Sequence, residues 1–107
     1  MNNMRQHNSI QEMNLNTADS VQALAVSNTA VAPAAAFADS TTHVLLNVAG
    51  ADVRVTVDGS DPVGGTTGQL WLNGTTMLLN KKLVARLKFI RDASTDLVVT
   101  MWPVNAG

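Results

Sequence analysis

The chain contains no cysteine and no tyrosine. Without cysteine, disulfides and thiolate metal sites are excluded, and covalent stapling goes with them. Aromatic residues make up 4% of the sequence, two Phe and two Trp. A core must therefore come from aliphatic side chains, and alanine, which inflates the hydrophobic fraction, buries little area. No apolar run approaches the roughly 20 residues that a membrane-spanning helix needs. With a formal net charge of −1 the chain has no overall attraction for nucleic acid or an anionic membrane, so neither is expected as a partner.

What is there divides near residue 39. Residues 1–38 are rich in Asn, Gln and Ala, with sparse large apolar side chains at Met4, Ile10, Met13, Leu15, Val21, Leu24 and Val26. This composition predicts a long, mostly irregular N-terminal arm that becomes ordered on a partner chain. The spacing of Ile10 and Met13, and of Val21 and Leu24, allows one short amphipathic helix, with Ser20 as an N-cap before VQALAV. Ala36-Phe37-Ala38 has the small-x-small form of a signal-peptidase site. A cleaved signal is nevertheless not expected. Ser27, Asn28 and Thr29 break the preceding apolar stretch, and Arg5 is offset by Glu12 and Asp19.

Residues 39–107 change to period two and predict an all-β domain, a small antiparallel sandwich or barrel of about six short strands. Val44, Leu46 and Val48 share one face of the first strand. After the Ala49-Gly50-Ala51 turn, Val53, Val55 and Val57 alternate with Asp52, Arg54 and Thr56. Asp58-Gly59-Ser60-Asp61-Pro62 stops that strand. Gln69–Leu72 and Thr75–Leu79 flank Asn73-Gly74, a favoured hairpin dipeptide, and are expected to pair. Leu83–Ile90 reads as a basic strand. Leu97–Trp102 closes the set, with Pro103 ending the ladder. A domain of this size gains stability from association, so a homo-oligomer is expected.

Chemistry-bearing patterns are sparse. His7 and His43 lie far apart and lack ligand-spaced neighbours, and no metal or cofactor is expected. Asp58, Ser60 and Asp61 offer hard oxygen donors but read better as turn formers than as a calcium loop. Gly64, Gly65 and Gly68 match no phosphate-binding motif. Nothing resembles a nucleophile elbow, and an enzyme is not expected. Five of the seven cations, Lys81, Lys82, Arg86, Lys88 and Arg91, fall in one short stretch, read as a solvated face or as a patch for an acidic partner. Trp71 and Trp102 are expected in the core. If exposed, either would serve as an interface anchor, or as the stacking platform of a small carbohydrate-binding module, although the lack of tyrosine makes a poor sugar surface.

The block Val53-Arg54-Val55-Thr56-Val57-Asp58-Gly59-Ser60-Asp61-Pro62, then Thr66-Thr67-Gly68 and Leu87-Lys88-Phe89-Ile90-Arg91, resembles small virion proteins of tailed bacteriophages. The likeness covers roughly residues 42–103; Gly64-Gly65 lengthens the loop relative to the pattern, and the arm lies outside it. The resemblance implies a structural virion protein made in the host cytoplasm. Its expected role is a capsid decoration (cement) protein, a homo-oligomer with a trimer favoured, bridging major-capsid subunits on the capsid surface. A head–tail connector or tail-fibre component is the alternative. On this reading Met4, Arg5, Ile10, Met13 and Leu15 of the arm, with Arg86 and Lys88, are the candidate partner contacts.

Overall fold

The computed structural model describes residues 16–34 and 36–105. In chain order the elements are β1 (Asn16–Thr17), β2 (Gln22–Val26), β3 (His43–Ala49), β4 (Val53–Thr56), β5 (Gln69–Trp71), β6 (Thr76–Asn80), a single helical turn α1 (Lys81–Val84), β7 (Lys88–Arg91) and β8 (Leu97–Asn105). They form two antiparallel sheets that enclose one core, the all-β sandwich expected. The larger sheet runs β1–β8–β3–β6, with β2 continuing the β1 side of β8; the smaller runs β5–β4–β7. Period-two burial explains the packing. Val44, Leu46 and Val48 of β3, with Val99 and Met101 of β8, face Val53, Val55, Trp71 and Phe89 of the smaller sheet.

Several expectations need correction. Gln22–Val26 is neither arm nor helix. It pairs in register with β8 from Gln22↔Met101 to Val26↔Leu97 and buries Leu24 and Val26. The period that decides is two, because Leu24 and Val26 alternate with alanine, and β8 offers an edge to pair with. The chain then crosses to the smaller sheet, where Val31 exchanges backbone hydrogen bonds with Phe89 at 2.9 and 2.8 Å. The sandwich therefore begins well before residue 39.

Lys81–Val84 is helical where a strand was expected. Asn80 Oδ1 accepts the Lys82 N–H at 2.7 Å and caps the turn, and Leu83, Val84 and Leu87 have helical spacing. Only Lys88–Arg91 of that stretch is strand. Asn73-Gly74 makes a turn, with Thr75 N–H donating to Leu72 O, but no hairpin. β5 pairs β4 and β6 pairs β3, so the dipeptide links the two sheets. The loop after β3 holds it there. Gly74 N–H donates to Val48 O, Asn73 N–H donates to Asp52 Oδ1, and Asn73 Oδ1 accepts the Gly50 N–H.

Pro103 lies inside β8 and does not end it. Lys81 N–H to Thr42 O and Val48 N–H to Thr75 O set which β3 residues bond β6. By alternation, Pro103 falls at a non-bonded position toward β3. Its nitrogen faces the break between β1 and β2, where no ladder donor is required. Val57, expected inward, lies past the end of β4 and is exposed.

Candidate interaction surfaces

The two sheets divide the charge unequally. Among the described residues, no Asp, Glu, Lys or Arg occurs in any strand of the larger sheet. Arg54, Lys88 and Arg91 all lie in the smaller one. Each has a carboxylate: Arg54 Nε donates to Asp92 Oδ1 at 2.7 Å, Arg91 to Asp96 at 2.7 Å, and Lys88 to Asp61 at 2.8 Å. The first pair is half-buried and also braces a loop, since Asp92 Oδ1 accepts the Gly65 N–H and Arg54 donates to Gly68 O.

On its outer face the described strands of the larger sheet therefore carry no carboxylate, lysine or arginine, and His43 is the titratable residue there. Register places Leu78, Leu45 and Trp102 side by side across β6, β3 and β8. Trp102 is 42% exposed, against the expected core position, because even-numbered residues of β8 face away from the smaller sheet. Val98 is also exposed, and Ala25 lies opposite it on β2. Trp71 does sit in the core, meeting Phe89 edge-on at 6.1 Å, with its Nε1–H donating to Gln69 Oε1 at 3.0 Å.

A second surface is an apolar groove of about 470 Å³ where the sheets part on the β5 and β6 side. Leu70, Leu72, Met77, Leu79, Leu83 and Leu87 are among its lining residues. The opposite side of the sandwich is closed by the chain passing from β2 to β7.

The remaining candidates can be placed individually. Arg86 is exposed in the turn after α1, and half-buried Lys88 is held in its ion pair with Asp61. Met4, Arg5, Ile10, Met13 and Leu15 lie outside the described residues, as does His7. His43 is half-buried, and its Nδ1 is 3.0 Å from Thr42 Oγ1. Asp58 works within its own turn. The Ser60 hydroxyl donates to its Oδ1 at 2.6 Å and the Ser60 N–H at 3.0 Å, and these bonds hold the carboxyl below the ordinary aspartate range. Thr56 Oγ1 donates to Ser60 O and ties the turn to β4. Gly64 has a packing role, since a Cβ there would stand 2.7 Å from Arg91 O. No group of three or more potential metal ligands occurs among the described residues.

No family model matches this chain, and no curated protein or solved structure matches it either. The exposure of Trp102 depends on which face of β8 the smaller sheet covers, which alternation within β8 does not specify.

Proposed function

We propose that this protein is a structural component of a bacteriophage particle, a capsid decoration protein held by contacts with its own copies and with major-capsid subunits. The outer face of the larger sheet, with Trp102 and no carboxylate, lysine or arginine in its described strands, carries this reading. A face so poor in charge meets a second copy with little like-charge repulsion, and a tryptophan in an aliphatic row is the usual kind of interface anchor. The resemblance of residues 53–62, 66–68 and 87–91 to small tailed-phage virion proteins supports the phage setting. The exposure of Trp102 also bears on a sugar-binding reading, but its cross-strand neighbours Leu45 and Leu78 are aliphatic, which favours protein contact.

The test is association. Sedimentation velocity on the full chain should show an oligomer at micromolar concentration, and the protein should load onto undecorated capsids in fixed stoichiometry. Trp102→Arg should abolish both while leaving the circular dichroism spectrum unchanged. A monomer that ignores capsids, or a variant that loads as well as the parent, would sink the proposal. Loading onto tails alone would move the site to the connector or fibre.

A further inference from the structure

The groove between β5 and β6 points to a partner of a different shape, and it does not depend on the outer face. Among the described residues both strands are the last of their sheets, pairing on one side only. Because the odd-numbered residues of β6 bond β3, the backbone groups of Thr76 and Leu78 face outward, with no strand beside them among the described residues. An open sheet edge next to an apolar trough accepts an extended chain. The edge supplies main-chain hydrogen bonds, and the trough takes alternate side chains. The molecule already does this on its other side, where the extended stretch through Val31 bonds Phe89 and closes the gap between the sheets.

Charge specifies the partner further. The cations of the smaller sheet all carry ion pairs. Lys82 and Arg86, both exposed, form none among the described residues, and they stand on and just after the helical turn that contributes Leu83 to the groove. Arg86 lies near Asp58 but beyond ion-pair distance. A strand added antiparallel to β6 brings its N-terminal residues beside Asn80, hence beside α1. We propose that the groove binds an extended segment of a partner protein by strand addition to β6, with apolar side chains at alternate positions and acidic residues at its N-terminal end.

A direct test uses the full chain carrying Trp102→Phe, so that groove-lining Trp71 is the sole tryptophan reporter. The probe is an N-acetylated peptide amide of two glutamates followed by alternating valine and threonine. It is compared with a version bearing two lysines in their place and one with proline at the central valine. Saturable binding of the acidic peptide with a change in Trp71 emission is expected. The lysine version should bind about tenfold more weakly, from two exposed charge contacts. The proline version should not bind. Lys82→Glu with Arg86→Glu, both at exposed positions, should reverse the charge preference. Equal binding of all three peptides, or an unreversed preference, overturns the proposal. So does self-association that Leu72→Asp abolishes, since a second copy would then occupy the groove. Trp102→Arg should leave peptide binding intact, which separates failure here from failure of the assembly reading.

Discussion

Leu24 and Val26 provide the sharpest check on where this fold begins. They are 9% and 1% exposed, on a strand whose composition reads as a polar arm. Leu24→Ala removes three carbons and Val26→Ala two. At about 0.8 kcal/mol per buried methylene these cost about 2.4 and about 1.6 kcal/mol in transfer alone. The holes left against β8 raise Leu24→Ala into the range of about 2–5 kcal/mol. The two sites are adjacent on one face and do not add strictly, but the double variant should lose about 4 kcal/mol. A domain holds only about 5–15 kcal/mol in all. Removing residues 1–38 takes both side chains and the β8 pairing together, and should unfold the remainder. The assay is equilibrium urea denaturation followed by far-ultraviolet circular dichroism. Val21→Ala, 43% exposed, serves as a control expected to stay within about 0.5 kcal/mol. If Leu24→Ala and Val26→Ala cost no more than that control, β2 is not part of the folded sheet.

Two further stability experiments probe the loops. Gly68 has φ +111°, and a Cβ there would stand 2.9 Å from Val55 O. Gly74, at φ +93°, has nothing within 4 Å of that position. Gly68→Ala should therefore destabilise by more than the roughly 1–2 kcal/mol left-handed penalty expected of Gly74→Ala, measured in the same urea assay; equal costs would remove the close-approach explanation. Asp92→Ala should cost about 1–3 kcal/mol, because it strips partners from half-buried Arg54 and from Gly65. Asp61→Ala, whose side chain is 70% exposed, should change stability by at most about 1 kcal/mol. Thermal denaturation of both variants checks the ranking, and the reverse order would refute it.

The parts legible from sequence are those in which local pattern and burial agree. Strict alternation at Val44, Leu46 and Val48, and at Val53 and Val55, marks two strands that lie where the pattern puts them. The Asp58–Ser60 turn is likewise encoded in its own side chains. What the pattern cannot carry is pairing. Leu72 to Thr75 turns as its Asn-Gly dipeptide dictates, yet hydrogen bonds from Val48, Gly50 and Asp52, remote in sequence, send β5 and β6 to opposite sheets. Lys81 to Leu87 satisfies both a helical and an alternating pattern over so short a span, and the Asn80 cap decides between them. The groove exists because β5 and β6 diverge, so a reading that pairs them removes it. Trp102 escapes for the same reason, since its exposure depends on which side of β8 the smaller sheet covers.

The placement of β8 also shapes how the molecule comes to be made. It is the shared partner of β1, β2 and β3, and all three precede it in the chain. During synthesis β2 and β3 emerge early, with apolar faces and unmet backbone groups, and have no common neighbour until residues 97–105 appear. Pairings of such long sequence separation form slowly, and chains waiting for them are exposed to wrong partners. Completion of the larger sheet thus waits on β8, which follows each of the strands it joins.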